Sequence, residues 1–164
     1  MREILFRGKT DKGEWVQGVP FFEEDRCYIV EELFICDEYD CTGAVNSYVH
    51  PDTVGQYTGL TDKNGTKIFE GDIVQYQNLM EFDIQSVVKF GKYKQDGSGG
   101  EYGGTDCLGF YVVADNFTCP DWCENEPEQF QDHWITDNLL QVNKNCKVIG
   151  NIHDNPDILI GGEK

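Results

Sequence analysis

The stretch that decides the fold runs from Val54 to Val74 and reads VGQYTGLTDKNGTKIFEGDIV. Apolar and polar residues alternate from its start, as in a strand with one buried face. The pattern breaks at Asp62-Lys63-Asn64-Gly65, where the Asn-Gly pair favours the positive φ angles of a tight hairpin turn. Apolar runs resume at Thr66–Phe69 and at Asp72–Tyr76. The stretch therefore predicts a β-hairpin followed by return strands.

The distinctive residues of this stretch all have a structural interpretation. Its four glycines fall where a sheet bends sharply or needs positive φ, and its apolar residues supply a core. We therefore interpret it as a structural spine and not as a site. The structural motif, taken together with the closing strand and turn, comprises Gly55, Tyr57, Gly59, Asn64, Gly65, Gly71, Asp72, Gly150, Asn151 and Pro156.

Composition extends the β prediction to the whole chain. The 164 residues include 18 glycines and 13% aromatics, and the apolar residues occur in short runs, which is typical of a mainly β protein. We predict two small, packed barrel-like or sheet subdomains, residues 1–60 and 61–164, while a single compact unit also fits the pattern. By analogy, Gly71-Asp72-Ile73-Val74 followed by strands suggests an SH3-like barrel in the later half.

Turn signals divide the N-terminal part into further elements. Ile4–Lys9 and Glu14–Val19 read as a hairpin, and Pro20 is predicted to close it. A strand follows at Cys27–Val30, and the acidic segment 37–43 reads as a loop.

The later part contains three more strand candidates and one helix candidate. Gln85–Phe90, Leu108–Val113 and Lys147–Ile152 are rich in β-formers. A short helix is predicted from Pro127, because proline is tolerated in the first helical turn. The apolar pairs that support this helix at a spacing of four are Phe130 with Trp134 and Ile135 with Leu139.

Charge limits the partners that the chain can have. It contains 30 Asp and Glu against 13 Lys and Arg, a formal net charge of −17, which opposes general affinity for nucleic acid or anionic membranes. No Lys or Arg lies between Gln95 and Asn143, and a second acidic run covers 23–40. Such runs usually keep a surface solvated; the alternative is that they mimic a DNA backbone and occupy a basic host protein.

The seven cysteines do not indicate a disulfide framework. Their number is odd and no signal-peptide core follows the N-terminus, so we expect a cytoplasmic protein with reduced thiols, most of them apolar fillers. The one metal-like group is Cys107, Cys119, Cys123 and His133. Three residues separate Cys119 from Cys123 where paired zinc ligands usually have two, so no metal or other cofactor is predicted.

A small patch of lysines and aromatics is the one basic feature. Lys89, Lys92 and Lys94 are interleaved with Phe90 and Tyr93, a combination that can stack bases and contact phosphates. The alternative is that strand lysines protect a sheet edge from pairing. Nucleic acid is therefore a less favoured partner than protein.

No residue is predicted to be catalytic. The three histidines have no nearby nucleophile that sequence could place in a triad, and no phosphate-binding glycine motif occurs. We expect that the protein is not an enzyme. A hydrolase is the third hypothesis, after protein binding and nucleic-acid binding.

Several motifs, in order, resemble the YopX family. They lie outside 23–48 and 78–143 and are Ile4–Lys9, Gly13–Gly18, Asp52–Leu60, Asp62–Gly65, Ile68–Val74 and Val148–Pro156. The resemblance implies a β-rich protein encoded by bacteriophages or prophages, with no established activity, cofactor or catalytic residue. We expect an accessory protein that binds an unknown host or phage protein in the bacterial cytoplasm. Strand edges and the apolar Ile158–Ile160 would allow a homo-oligomer.

Overall fold

A computed structural model describes residues 3–36, 41–77, 83–95, 105–113 and 136–159. The chain divides into two compact units, Met1–Gly59 and Leu60–Lys164. Antiparallel strands account for most of the described residues. The prediction of a mainly β protein is therefore confirmed.

The first unit is one antiparallel sheet. Its strand order is β4-β3-β2-β1-β5, and β5 continues past the end of the unit. A short 3-10 helix, Pro51–Thr53, lies between β4 and β5. The strands are β1 Phe6–Lys9, β2 Trp15–Glu23, β3 Arg26–Cys36, β4 Cys41–Val49 and β5 Gly55–Thr61.

Two predicted boundaries in this unit are wrong. Pro20 does not close β2 but lies inside it, paired with Ile29. Strand β1 stops pairing with β2 at Gly18, so Pro20 lies where β2 has lost one neighbour and a missing N–H is tolerated. Gly43 also lies in a strand and not in a loop, as the register partner of Phe34.

The core of the first unit lies on one face of this sheet. Cys27, Ile29 and Val49 are fully buried there, and Phe6 and Val16 pack against them. Burial raises the pKa of the Cys27 thiol above its ordinary value, so this thiol stays protonated, as expected of an apolar filler.

The second unit is built on an open sheet of five antiparallel strands. Its order is β10-β9-β8-β7-β11, and its described edge strands, β10 and β11, do not pair with each other. The SH3-like barrel is therefore not closed by the strands that the structure describes. The elements are β6 Lys67–Phe69, β7 Asp72–Gln77, β8 Asp83–Gln95, β9 Thr105–Val113, β10 Thr136–Asn138, α1 Leu139–Val142, β11 Lys147–Asn151 and a 3-10 helix at Pro156–Ile158.

Most of the predicted helix lies outside the described residues. Pro127, Phe130, Trp134 and Ile135 lie outside the described residues. Thr136–Asn138 is a strand paired with β9, and the one-turn helix α1 begins only at Leu139. The proposed pairing of Ile135 with Leu139 on one helix is therefore wrong, because the three intervening polar residues pair with a sheet edge.

The hairpin in the opening stretch is confirmed. Strands β5 and β6 are neighbours across the Asp62–Gly65 turn. The Asp62 carboxylate accepts from Asn64 N and Thr66 N at 2.8 and 2.9 Å, and from Val148 N at 3.0 Å. One buried side chain thus closes the turn and also contacts β11.

Several other motif residues serve turns, whereas Tyr57 is a buried residue of β5. Asp72 is buried and accepts from Phe69 N at 2.8 Å. Asn151 Oδ1 accepts from His153 N and Asp154 N, and a Cβ on Gly150 would lie 2.5 Å from Asn155 Oδ1. Positive φ occurs at Gly59, Gly65 and Gly71, with values of 83°, 83° and 81°. Gly55 is not a positive-φ glycine; it is the first residue of β5.

Candidate interaction surfaces

Strand alternation divides the predicted lysine patch between two faces of β8. Phe90, Lys92 and Lys94 point to one face and Lys89 and Tyr93 to the other, because successive side chains in a strand alternate. The five residues therefore do not form one surface.

The face with two lysines also carries apolar and acidic neighbours. Lys92 is paired with Leu108, which is 71% exposed, and Lys94 with Asp106. Phe90 makes an edge-on contact with Phe110, with ring centroids 5.0 Å apart. Two lysines beside an aspartate provide only a weak phosphate-binding surface.

On the opposite face of β8, the side chains pack against those of β9. Tyr93 stacks on Tyr111 at a centroid distance of 5.2 Å, and Lys89 is the register partner of Tyr111. Burial and then the adjacent Cys107 raise the pKa of Tyr93 above its ordinary value. A ring stacked in this way does not present both of its faces to a base.

The metal-like group is only partly within the described residues. Cys107 lies on β9 opposite Tyr93, whereas Cys119, Cys123 and His133 lie outside the described ranges. Among the residues that the structure describes, no group of three or more His, Cys, Asp or Glu could hold a metal ion.

The first unit has a larger exposed surface that the sequence analysis missed. Register pairs Val19 with Val30, Phe21 with Tyr28, and Tyr28 with Tyr48, so these side chains share one face of β2, β3 and β4. The Tyr28 and Tyr48 rings meet edge-on at 5.8 Å. Leu33 joins the same face beyond a β-bulge. We call this surface the aromatic face: Val19, Phe21, Tyr28, Val30, Leu33 and Tyr48.

The aromatic face is exposed, whereas Cys27, Ile29 and Val49 on the other side of the sheet are buried, although Phe22, Phe34 and Val45 on that other side are exposed as well. The exposed fractions are 58% for Val19, 57% for Phe21, 71% for Leu33 and 38% for Tyr48. Single exposed apolar residues are ordinary on protein surfaces, whereas large contiguous apolar patches are typical of binding surfaces. Aromatic side chains are also enriched where proteins bind proteins.

Acidic residues lie at one end of the aromatic face. Glu23 ends β2, and Glu24 and Asp25 follow it in the turn to β3; all three are exposed. Glu31 and Glu32 are also exposed, but they lie toward the opposite face of β3. Arg26 is the one base in the run from residue 23 to 40. An apolar surface with carboxylates at one end is complementary to a basic protein surface.

Sequence reasoning missed this face for a specific reason. Phe21 and Phe22 follow Pro20, which was expected to end the strand, and Leu33 and Tyr48 lie in the region outside the recognised motifs. The sequence signal that indicates this face is the run of β-forming residues Cys27–Val30. The alternation of side chains between two faces continues on both sides of that run.

These observations define a mainly β protein with an exposed aromatic surface. The profile of the YopX protein family matches residues 5–160, nearly the whole chain. The chain belongs to the YopX family.

The fold is similar to that of a solved structure. The crystal structure of protein EF1440 from Enterococcus faecalis is 23% identical in sequence and superposes with a TM-score of 0.50. The alignment covers 97% of this chain and 99% of that chain, so the likeness extends over both units. At this identity it shows the fold alone. A search among curated proteins finds no match.

Membrane insertion through a helix has no basis in the described residues. None of the helices there combines the length and the apolar character needed to cross a bilayer.

Proposed function

We propose that this chain is a non-enzymatic accessory protein, encoded by a phage or prophage, that binds a host or phage protein in the bacterial cytoplasm. The observation that carries the proposal is the exposed aromatic face on β2, β3 and β4. The phage origin rests on the family, and the absence of an enzymatic role rests on the lack of any catalytic motif in the sequence.

The energetics favour a partner on this face. Burying apolar surface yields about 25 cal/mol per Å², and aromatic residues at the centre of an interface commonly supply most of its binding energy. Glu23, Glu24 and Asp25 at one end of this face contribute selectivity, because a basic partner gains electrostatic attraction and an acidic one is repelled.

The experiment is a pull-down of the purified protein from bacterial lysate, with and without nuclease, read by mass spectrometry. The proposal predicts one stoichiometric protein that survives nuclease and is lost with Phe21→Glu. The matched control is Leu108→Glu, an equally polar change at an exposed residue of the other unit. Recovery that is unchanged by Phe21→Glu, or recovery of no protein, contradicts the proposal.

A nucleic-acid role is the second candidate, favoured by the placement of Lys92, Lys94 and exposed Phe90 on one face of β8. Binding of this kind weakens steeply as salt rises. Lys92→Glu should then reduce retention of single-stranded DNA, and binding that does not depend on salt or on Lys92 would exclude it. Acidic mimicry makes a different prediction: the captured protein is basic and DNA competes for it.

A further inference from the structure

The end strand of the first sheet is unusually open to pairing. Among the described strands β4 pairs only with β3, and its nine residues, Cys41–Val49, contain no charged residue and no proline. Natural sheet edges are commonly protected by charges, prolines or bulges, because an exposed row of backbone N–H and C=O groups attracts another strand.

Part of this strand is already engaged. His50 N, directly after β4, donates to Lys9 O at 2.9 Å, which ties that end of the strand to β1. Within the part of the chain that the structure describes, the segment left as an edge is 43–48, which we call the β4 edge. It is long enough for the three or more ladder positions of an added strand.

The two faces beside the β4 edge differ in character. On one side lies the aromatic face, with Tyr48 at the edge and Leu33 behind Ala44. On the other side Ser47 Oγ donates to Glu31 Oε1 at 2.7 Å, and Glu32 is the register partner of Val45. An added strand would meet the aromatic face on one side and, on the other, exposed Val45 with the carboxylates of Glu31 and Glu32 close behind it.

We propose that the β4 edge binds an extended segment of a partner protein by adding it to the sheet as a strand, and that the segment alternates apolar and basic residues. This inference rests on the proposed function, since it specifies how the partner is held. Backbone pairing supplies the affinity in this mode of recognition, and the alternate side chains supply the specificity.

Charge argues for a basic partner and against a second copy of this chain. Residues 1–59 contain 12 Asp and Glu against 5 Lys and Arg, a difference of −7. Two such units paired edge to edge would bring like charges together, whereas Lys or Arg on the added strand can reach Glu31 and Glu32.

The test uses a peptide of about nine residues that alternates valine and lysine, matching the nine-residue β4, titrated onto the full chain. Two N-methylated versions block the backbone N–H of the odd or of the even residues. A scrambled peptide with its lysines in one block controls for charge. We expect the alternating peptide to bind at least about tenfold more tightly than the scrambled one, and one N-methylated version alone to lose binding.

Equal binding of the alternating and scrambled peptides, or equal effects of the two N-methylation patterns, would overturn the inference by showing that charge alone acts. No binding of any peptide would also overturn it. The two proposals can be distinguished. If Phe21→Glu abolishes capture of a lysate protein but no peptide binds, partner binding at the aromatic face is supported and strand addition at the β4 edge is excluded.

A variant of β4 tests the location of the peptide independently. Val45→Lys places a positive charge on the β4 edge at a residue that is already exposed, and is expected to weaken the alternating peptide about tenfold. Leu108→Lys carries the same charge change in the other unit and should leave binding unchanged. Equal behaviour of the two variants, with both still folded by circular dichroism, would contradict the assignment to β4.

Discussion

At the scale of single residues, the turn between β5 and β6 depends on backbone conformation at one glycine. Gly65 has φ of 83°, and a Cβ built there would meet nothing within 4 Å. Replacement by a larger residue therefore costs only the left-handed backbone conformation, about 1–2 kcal/mol. No loss of packing is added to this cost.

Gly65→Val is therefore expected to lower the free energy of unfolding by about 2 kcal/mol, the upper end of that range because valine is β-branched. Gly109→Val is the matched control: its Cβ also meets nothing within 4 Å, but Gly109 lies in β9 without positive φ. Thermal or urea denaturation should show a loss for Gly65→Val only. A melting point unchanged by Gly65→Val would count against a structural role for the Val54–Val74 stretch.

The Asp62 carboxylate makes the stability of the second unit depend on pH. Burial opposes its ionisation, but its hydrogen bonds from Val148, Thr66 and Asn64 outweigh burial and lower its pKa. A lowered folded-state pKa gives stability that is present above the ordinary value, about 3.9, and is lost as the pH falls through the folded value.

Asp62→Asn should cost about 1–3 kcal/mol at pH 7, because an amide cannot accept from every one of these backbone donors. Urea denaturation of both proteins from pH 7 to pH 3 checks this. The difference should narrow below about pH 4, as the wild-type carboxylate is protonated. A difference that stays constant with pH would show that the charge of Asp62 plays no part.

At the scale of elements, close approach of strands explains glycines that the sequence alone could not interpret. A Cβ on Gly18 would lie 2.0 Å from the carbonyl oxygen of Val30, a backbone atom of the paired strand β3. A Cβ on Gly43 would lie 2.2 Å from the Phe34 ring, which is an exposed side chain and can rotate away.

Gly18→Ala is accordingly expected to destabilise the first unit by about 3 kcal/mol, the upper end of the cost of overpacking, because β2 and β3 must separate. Gly43→Ala should cost less than about 1 kcal/mol, since only a side chain moves. Denaturant titration of the two variants measures both values. Similar losses for both would mean that the approach of β2 to β3 is not what requires Gly18.

The sequence predicted elements best where periodicity and turn chemistry coincide. The Asn64-Gly65 hairpin and strands β7 and β11 were predicted closely, because alternation and turn residues agree there. The continuation of β2 through Pro20 was not predicted. Proline is tolerated within a strand where a neighbouring strand ends, and the position of that end depends on the order of strands in the sheet.

At the scale of the whole molecule, the candidate site was the part that sequence predicted least. Lysines at 89, 92 and 94 look like one patch in the sequence, but strand alternation assigns them to two faces. The aromatic face is assembled from β2, β3 and β4, and its residues are contiguous only once the register is known. An acidic chain with an exposed apolar surface is suited to a basic protein partner more than to nucleic acid.

The most direct test of the proposed function is hydrogen–deuterium exchange of the complex formed with the captured partner, compared with the free protein. The proposed function predicts new protection concentrated in β2, β3 and β4, with β8 and β9 unchanged. Protection on β8 and β9, with none in β2 to β4, would contradict it and assign the contact to the lysine-bearing strand.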